Sequence, residues 1–347
     1  MLVCYTGGGT LGHIYPALAV HQALASQPGY SCFWIGRHNG LEQAAVEGAG
    51  IPFYPIQSGK LRRYASLANI SDLFRLAVAF FQALKLLRKM RPTVLFSKGG
   101  FVSVPPVYAA WVLKIRVVTH ESDASPGLAT RLNSRCATTV CIPFAGSEGS
   151  LPPAKLVVTG NPIREALFSD EDISRFGIVP TMPVLLVLGG SQGSSEINAL
   201  VRENLEALTA LAFVIHQCGS ADYQGSAHEN YVAIPLLGPE LGSLYRRSTL
   251  VVSRGGAGTI AEILAFGCAS LIIPLSTATS RGDQILNAQR LVDKGAAHAL
   301  FGEVSKEIFL QEVAYLLENP DKRGILAGNA RALAVSGSAV KIASLLR

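Results

Sequence analysis

Four glycine-rich segments are the parts of this sequence whose residue types and spacing could do chemistry. They are residues 6–12 (TGGGTLG), 98–103 (KGGFVS), 189–194 (GGSQGS) and 254–259 (RGGAGT), and each follows a short apolar run. Glycine lets the backbone approach a ligand closely, and a helix that begins beside it offers unpaired N–H groups and the positive end of its dipole. Tight turns between strands and helices also need glycine, so one loop alone leaves both interpretations open. Four loops together favour a ligand that carries phosphate.

The glycine spacing argues against two large classes of nucleotide site. Neither loop that opens a half of the chain combines G-x-G-x-x-G with an acidic residue about 20 positions later, and G-x-x-x-x-G-K-[ST] is absent. Hydride transfer and ATP hydrolysis are therefore disfavoured. Glu262 is expected in the first turn of the helix that begins at GTIAEILA, where its carboxylate could accept hydrogen bonds from the hydroxyls of a ribose. An acidic residue there could equally do no more than complement the helix dipole.

Short apolar runs alternate with helical patterns along the chain. The runs span residues 2–6, 31–36, 93–97, 116–121, 138–142, 155–160, 184–190, 213–219, 231–237, 250–256 and 270–275. Runs that are apolar throughout suit parallel strands covered on both faces, so we predict an α/β fold with two Rossmann-like domains facing a cleft. The predicted domains span residues 1–160 and 161–335. A last helix, 336–347, is expected to pack back on the first domain.

The composition indicates a compact protein, with 49% hydrophobic and 16% charged residues. No apolar run approaches the roughly 20 residues that cross a bilayer, and no signal peptide is visible. The six cysteines form no C-x-x-C pair, which favours reduced thiols over a metal site. Asp170, Glu171 and Asp172 are interpreted as an acidic cluster in a first helical turn rather than as metal ligands.

The positive charge is concentrated in the first half of the chain. Residues 1–160 carry 15 basic and 6 acidic residues, for a net charge of +9, while residues 161–347 carry 15 and 18, for −3. Because the basic residues are not interleaved with aromatic ones, an anionic lipid surface fits better than nucleic acid.

The pattern of residues 71–90 predicts a helix that would contact an anionic lipid surface. A core-facing stripe is expected at Leu73, Leu76, Ala77, Phe80, Leu84 and Leu87. Phe74, Val78 and Phe81 lie on another side, with Lys60, Arg62, Arg63, Arg75, Lys85, Arg88, Lys89 and Arg91 around them. The alternative is that these apolar residues pack under a neighbouring loop.

The motifs taken together resemble the MurG family. They are GGGTLGHIYPALAV, SKGGFVSVPP, THESDASPGLATRLNSR, TGNPIREAL, LGGSQGSSEIN, VVSRGGAGTIAEILAFGCASLIIPL and SRGDQILNAQRL, in the family's order and approximate spacing. The resemblance implies an inverting glycosyltransferase of the GT-B architecture, with no cofactor and no bound metal. It implies transfer of GlcNAc from UDP-GlcNAc to undecaprenyl-pyrophosphoryl-MurNAc-pentapeptide, which converts lipid I to lipid II in peptidoglycan synthesis. It also implies a peripheral position on the cytoplasmic face of the bacterial cell membrane.

The resemblance also implies which residues bind the donor. They are Thr10, Leu11, Gly12, Asp123, Arg164, Ser191, Ala257, Gly258, Thr259, Ile260, Ala261, Glu262 and Gln284. Two of them depart from the family pattern, because Leu11 replaces a usual small residue and Asp123 a usual asparagine. A carboxylate at Asp123 facing a diphosphate sugar could weaken donor binding.

His13 is the candidate general base for the attacking sugar hydroxyl, since the ordinary pKa of histidine, about 6.5, suits that task. It could instead hydrogen-bond the sugar or the loop only, and Glu121 is a reserve candidate. The acceptor's pyrophosphate is expected at Gly8, Gly9, Gly99, Gly100 and Ser103. Two alternatives stay open: a UDP-GlcNAc epimerase of the same architecture, and a UDP-sugar-binding regulator that has lost transfer.

Overall fold

A computed structural model of the chain describes residues 1–8, 11–38, 42–57, 68–226, 228–276 and 282–347, and for residues 11 and 68–73 the backbone only. The described chain divides into two compact units. The first comprises Met1–Arg164 with Gly337–Arg347, and the second comprises Glu165–Ser336.

The first unit is built on a parallel sheet of seven strands. Its elements are β1 (Leu2–Thr6), α1 (Tyr15–Ala25), β2 (Ser31–Arg37), α2 (Glu42–Gly48), β3 (Phe53–Ile56), α3 (Ala68–Met90), β4 (Val94–Ser97), α4 (Val104–Val112), β5 (Arg116–His120), α5 (Leu128–Cys136), β6 (Thr139–Ile142) and β7 (Leu156–Val158). The strand order is β3-β2-β1-β4-β5-β6-β7. Apolar side chains of α1 cover one face of this sheet and those of α3 and α4 the other, which explains why its central strands are apolar throughout.

The second unit repeats this plan with six strands. Its elements are β8 (Val184–Leu188), α6 (Ser195–Glu203), α7 (Leu205–Leu211), β9 (Phe213–Gln217), β10 (Tyr231–Ile234), α8 (Leu241–Arg247), β11 (Leu250–Ser253), α9 (Ala257–Phe266), β12 (Ser270–Ile272), α10 (Asp283–Asp293), β13 (His298–Ala299), α11 (Lys306–Glu318) and α12 (Pro320–Leu333). The strand order is β10-β9-β8-β11-β12-β13, and all pairs are parallel. The last helix, α13 (Ser338–Leu346), packs against α1 of the first unit.

In both sheets the strand order reverses beside the first strand of the unit. In the first unit the chain runs outward from β1 to β3 and then returns to place β4 on the other side of β1; β8 and β11 stand in the same relation in the second. Ligands of open parallel sheets bind at this switch point, outside the carboxyl ends of the strands. The glycine loops after β1, β4, β8 and β11 are the loops that flank the two switch points.

All eleven predicted apolar runs contain a strand, whereas β3 and β13 were not predicted. Both lie at sheet edges, where the apolar signal is weak. β3 is FYPI, and Pro55 lacks the N–H that a central strand would need. β13 has only two residues.

The predicted domain boundary after residue 160 lies four residues before the point where the units divide. Asn161 and Arg164 lie in the first unit because the Asn161 amide donates to the Ser122 carbonyl (3.0 Å) and the Arg164 guanidinium lies over the Tyr15 ring. At the other end of the chain, Arg116 of β5 donates to the carbonyls of Leu345 (3.1 Å) and Leu346, which ties α13 to the first sheet.

The interpretation of residues 170–172 as a first helical turn is wrong in detail. They lie in irregular chain between two short 3₁₀ turns, Glu165–Phe168 and Ser174–Phe176. Asp172 accepts hydrogen bonds from the Ser174 N–H (2.8 Å) and hydroxyl (2.9 Å), so it stabilises the start of the second turn.

Candidate functional site

The loops that follow β1 and β4 meet at the carboxyl edge of the first sheet. A Cβ atom on Gly100, whose φ is +76°, would lie 2.4 Å from the Gly8 carbonyl oxygen, so no larger residue fits there without movement of the backbone. Gly99 also has a positive φ, +86°. The structure therefore brings together three of the residues expected to hold the acceptor's pyrophosphate, Gly8, Gly99 and Gly100. Gly9 lies outside the described residues.

Ser103 supports this loop from inside, in contrast to its expected contact with a pyrophosphate. Its side chain is fully buried; the hydroxyl donates to the Gly100 carbonyl (2.8 Å) and accepts from the Asn133 amide (2.9 Å). These two bonds occupy the hydroxyl, and burial removes it from the surface of the loop.

A buried cation that the sequence analysis did not single out lies beneath the same loops. Lys98 directly follows β4, is 1% exposed, and donates to the Ser122 hydroxyl. Burial lowers the pKa of its ammonium group to about 8, against the opposing effect of Glu121 and Asp123. The positive charge of Lys98 therefore interacts with Glu121 and Asp123, and it offsets part of the negative charge that Asp123 brings to this edge of the sheet.

His13 and His120 lie at this edge as well. His13 is half-buried at the end of a 3₁₀ turn, Leu11–His13, and Gly12 beside it is exposed. His120 is fully buried at the end of β5, and its Nε2 lies 2.9 Å from the Gly160 carbonyl, which can only accept, so Nε2 carries the proton. Burial and the charge of Lys98 lower the pKa of His120 well below its usual value, so it is neutral at pH 7.

Glu121, the reserve candidate for the base, is engaged in holding its own loop. Its Oε1 accepts from the N–H groups of Ser122 (2.8 Å) and Asp123 (3.1 Å), and its Oε2 accepts from Gly127 (2.9 Å). A buried carboxylate with three backbone donors fixes the shape of residues 121–127 and presents Asp123 at a defined place. We therefore assign Glu121 to structure rather than to proton transfer.

Arg164 lies in the first unit, although it was assigned to the second predicted domain. Its guanidinium carbon lies 4.8 Å from the centre of the Tyr15 ring, an arrangement that orients the side chain by a cation–π interaction. Tyr15 begins α1, so Arg164 lies near the first glycine loop.

In the second unit, Arg254 joins the loops after β8 and β11. It directly follows β11 and is 8% exposed. Its guanidinium donates to the Ser194 hydroxyl (2.9 Å) and the Ile273 carbonyl (3.0 Å), and it forms an ion pair with Glu196 (2.7 Å). Because Ser194 caps α6, one side chain fixes the start of α6 against the ends of β11 and β12.

The loop that contains Ser191 packs tightly against the end of β9. Gly193 has a φ of +82°, and a Cβ atom there would lie 2.1 Å from the Cys218 carbonyl oxygen. The Gln217 amide donates to the Gly190 carbonyl (2.9 Å). Ser191 itself is exposed, which leaves its side chain at the surface of this closely packed loop.

Glu262 lies in the second turn of α9, not in the first turn as predicted. The helix begins at Ala257, earlier than the GTIAEILA segment implied, because Gly256 takes an extended N-cap conformation. Ala257 to Ala261 therefore form the start of the helix, and Gly256 adds no capping side chain. The Tyr245 hydroxyl donates to Glu262 Oε2 (2.9 Å), which holds the carboxylate on the helix surface.

Gln284 in α10 lies against the loop that leads into α9. A Cβ atom on Gly255 would lie 2.5 Å from the Gln284 carbonyl oxygen, and the Asn287 amide donates to the Gly255 carbonyl (3.0 Å). Gln284 Oε1 accepts from the Leu275 N–H (3.0 Å), which orients its amide. The structure thus places residues 257–262 and Gln284 beside one another.

Three of the predicted binding-site residues cannot be compared with the structure, because Gly9 and Thr10 lie outside the described residues and Leu11 has only its backbone described. In the described part of the chain, no group of three or more His, Cys, Asp or Glu side chains is arranged to hold a metal ion. The six cysteines are free thiols.

A repeated sequence pattern could have revealed Lys98 and Arg254. The chain reads SKGG at 97–100 and SRGG at 253–256, and each motif begins at the last residue of a strand, β4 and β11. These strands lie across the switch point from β1 and β8. A cation in the same register in both units indicates a shared task of holding the switch-point loops. Tyr245 carries no comparable signal.

Behind the Ser191 loop, a buried histidine makes the stability of the protein depend on pH. His216 Nδ1 lies 3.0 Å from the Tyr231 hydroxyl and Nε2 lies 2.9 Å from Asn198 Oδ1, and burial lowers the pKa of His216 to about 4. The unfolded chain takes up this proton near pH 6.5, so we expect the free energy of unfolding to fall by up to about 3 kcal/mol between pH 7 and pH 4. His120 acts in the same direction. Denaturant unfolding across this pH range measures the loss of stability. His216→Gln should lessen that loss, whereas His38→Gln, at an exposed histidine, should not. The same pH dependence of stability in both variants would contradict the role given to His216.

Comparison with known proteins agrees with the division of the chain into two domains. Residues 3–142 match the glycosyltransferase family 28 N-terminal domain, and residues 184–344 match its C-terminal domain. A relative from Lachnoclostridium phytofermentans, named UDP-N-acetylglucosamine--N-acetylmuramyl-(pentapeptide) pyrophosphoryl-undecaprenol N-acetylglucosamine transferase, is 43% identical over 323 residues, 91% of each chain. The crystal structure of Acinetobacter baumannii MurG is similar with a TM-score of 0.77 and 27% identity, over 99% of this chain and 98% of that one.

The fold, with glycine loops at two switch points, defines the class as a GT-B glycosyltransferase with two Rossmann-like domains. The chain belongs to glycosyltransferase family 28 and, within it, to the MurG family. A UDP-GlcNAc 2-epimerase from Neisseria meningitidis, bound to UDP-GlcNAc, is similar with a TM-score of 0.71 over 100% of this chain and 99% of that one, but at 16% identity it shares the fold alone.

Proposed function

We propose that this protein transfers GlcNAc from UDP-GlcNAc to undecaprenyl-pyrophosphoryl-MurNAc-pentapeptide, the step from lipid I to lipid II in peptidoglycan synthesis. The observation that carries the proposal is the 43% identity to a transferase of that name across 91% of both chains. The glycine loops at both switch points supply the two anion sites that a diphosphate donor and a pyrophosphate acceptor require.

The donor is assigned mainly to the second unit. The start of α9, residues 257–261, and the loop with Ser191 take the diphosphate, because helix N-termini and loop N–H groups stabilise negative charge. Glu262 accepts hydrogen bonds from the ribose hydroxyls, and Gln284 contacts the GlcNAc hydroxyls. Arg164, Gly12, Asp123, Thr10 and Leu11, all in the first part of the chain, are assigned to the donor on the family resemblance alone.

The reaction is a single displacement with a proton to remove. A hydroxyl of the acceptor sugar attacks the anomeric carbon of GlcNAc as the bond from that carbon to the UDP oxygen breaks. His13 takes the proton of the attacking hydroxyl, and the loop N–H groups together with Arg164 stabilise the negative charge that grows on the departing UDP. Gly8, Gly99 and Gly100 hold the pyrophosphate of the acceptor, with the charge of Lys98 beneath them.

One assay separates this proposal from its two rivals. The protein is incubated with labelled UDP-GlcNAc, with and without a lipid I analogue, and the products are separated. A labelled disaccharide-lipid supports transfer, UDP-ManNAc without an acceptor would identify an epimerase, and no product would leave a binding protein. The relatives named as transferases favour the first outcome.

We also assign the first unit to an anionic membrane surface at the cytoplasmic face. In the described part of α3, Phe74 is 71% exposed and Phe81 is 65% exposed. The basic side chains near them are Arg75, Lys85, Arg88 and Lys89; Lys60, Arg62 and Arg63 lie outside the described residues. On the core-facing side Ala79, Ala83 and Leu87 are buried, and the predicted Phe80 and Leu84 pack partly against the same cluster. Ala77, which was also predicted to face the core, is exposed. Exposed Trp111 of α4, which packs against α3, adds to the apolar surface.

Among the helices that the structure describes, none has both the length and the apolar character to cross a bilayer. The exposed aromatic side chains and the basic residues of α3 favour shallow insertion of the aromatic rings together with attraction to anionic head groups.

We expect a Phe74→Ser/Phe81→Ser variant to bind vesicles containing anionic lipid at least several-fold more weakly, and high salt to weaken binding of the unmodified protein. Co-sedimentation with vesicles that contain about 30% anionic lipid measures both effects. An Ile325→Ser/Val340→Ser variant, which removes exposed apolar residues elsewhere, serves as the control. Binding that neither salt nor the α3 substitutions change would contradict the assignment.

A further inference from the structure

The hydroxyl of Tyr245 has a specific partner at the donor site. Tyr245 lies in α8 and is 1% exposed, and its Oη donates to Glu262 Oε2 over 2.9 Å. The two residues are 17 positions apart on different helices, so this contact exists only in the folded unit. Glu262, on α9, is half-buried.

Aromatic stacking fixes the position of the phenol. The Tyr245 ring stacks on Phe266 with centroids 5.2 Å apart and an angle of 18° between the planes. Phe266 lies four residues after Glu262, on the same side of α9, and stacks on Phe168 in turn (5.3 Å, 18°). The Tyr245 ring therefore cannot turn away from Glu262 without losing its stacking on Phe266, a ring that Phe168 supports in turn.

A fixed phenol gives the carboxylate a defined orientation. At neutral pH the phenol is protonated and donates, while a carboxylate only accepts. The two neighbouring hydroxyls of a ribose are both donors, and they bind well only to a carboxylate whose plane is already set. A glutamate side chain has three rotatable bonds, so orientation by a neighbour saves entropy on binding.

We propose that Tyr245 is a positioning residue that sets the Glu262 carboxylate for both ribose hydroxyls and so makes the protein prefer ribonucleotides over 2′-deoxyribonucleotides. This inference rests on the proposed function, which assigns Glu262 to the ribose. It concerns recognition of the nucleotide and not the transfer of the sugar.

The test compares inhibition by UDP and by 2′-deoxy-UDP. In the unmodified protein UDP should bind more tightly; in Tyr245→Phe the inhibition constant of UDP should rise about tenfold while that of 2′-deoxy-UDP changes much less. The ratio of the inhibition constant of 2′-deoxy-UDP to that of UDP therefore falls. The value of kcat at saturating donor stays within about twofold of that of the unmodified protein. A residue that only stabilised the fold would weaken both inhibitors alike.

Two further variants make the result decisive. Tyr231→Phe removes another buried phenol, the one that pairs with His216, and should leave the ratio unchanged. Glu262→Gln should lower the ratio by itself, and adding Tyr245→Phe should then change it little, because the two residues act through one contact. Comparison of Glu262→Gln with the double variant tests the contact between Tyr245 and Glu262 even where Tyr245→Phe alone lowers the melting temperature.

An unchanged ratio in Tyr245→Phe, or fully additive effects in the double variant, would overturn the inference. Equal binding of UDP and 2′-deoxy-UDP to the unmodified protein would overturn it too, together with the assignment of Glu262. Failure of the proposed function shows differently, as absence of the disaccharide-lipid product while the inhibition ratio still responds.

Discussion

His13→Ala is expected to lower kcat at least a hundredfold and to change the affinity for UDP-GlcNAc little. A general base contributes about 10²- to 10⁴-fold, and removal of the imidazole leaves the attacking hydroxyl to lose its proton to water. His13 is well placed for this, because it ends the loop after β1 at the switch point of the first sheet. Steady-state kinetics with a lipid I analogue give kcat, and calorimetric titration gives the donor affinity.

His38→Ala is the matched control, since His38 is an exposed histidine of the same unit at the end of β2 and should show normal kinetics. Near-normal turnover of His13→Ala would remove the residue from the role of base and leave it a hydrogen-bonding partner of the sugar or the loop. A large rise in KM with unchanged kcat would have the same meaning, because it reports lost ground-state binding.

Gly193→Ala is expected to raise KM for UDP-GlcNAc more than tenfold and to destabilise the second unit by about 2 to 5 kcal/mol. Two costs add: the left-handed backbone at φ +82° disfavours a side chain, and the new Cβ would lie 2.1 Å from the Cys218 carbonyl. The loop with Ser191 must then move away from β9, which would displace the N–H groups that we propose bind the diphosphate of the donor.

The chain offers a control that separates these costs. Gly190, in the same loop, has a φ of +86° but no atom within 4 Å of its Cβ position. Gly190→Ala should therefore cost about 1 to 2 kcal/mol, from backbone strain alone. Denaturant unfolding and donor kinetics of both variants measure the difference, and equal losses would show that the packing of Gly193 on β9 does not shape the donor site.

The arrangement of the loops could be predicted from the sequence to a considerable extent. Each glycine loop follows an apolar run, and the carboxyl ends of parallel strands lie at one edge of a sheet, so the order of the runs already groups the loops. The exact start of α9 could not be predicted, because an extended Gly256 and a helical one are equally compatible with the sequence. The helix begins one residue before the predicted GTIAEILA segment, and Glu262, its sixth residue, lies in the second turn.

Residues whose role depends on partners far along the chain were missed or misassigned. Arg254 lies 60 positions from Ser194, and Lys98 lies 24 positions from Ser122. Ser103 was expected to contact the acceptor's pyrophosphate, but its hydroxyl is bonded to Asn133, 30 positions away. The repeated SKGG and SRGG pattern could have marked the two cations but not their partners, since such pairs form only when distant parts of the chain come together in the folded units.

The sequence by itself determined the α/β class, the strands with continuous apolar residues and the glycine loops that follow them. These features are local: they depend on burial of apolar side chains and on the conformational freedom of glycine. Only the tertiary structure decided that Arg164 lies in the first unit, that Glu121 holds its own loop and that Tyr245 holds Glu262. Those roles are set by distances between side chains on separate elements, which residue types and spacing do not specify.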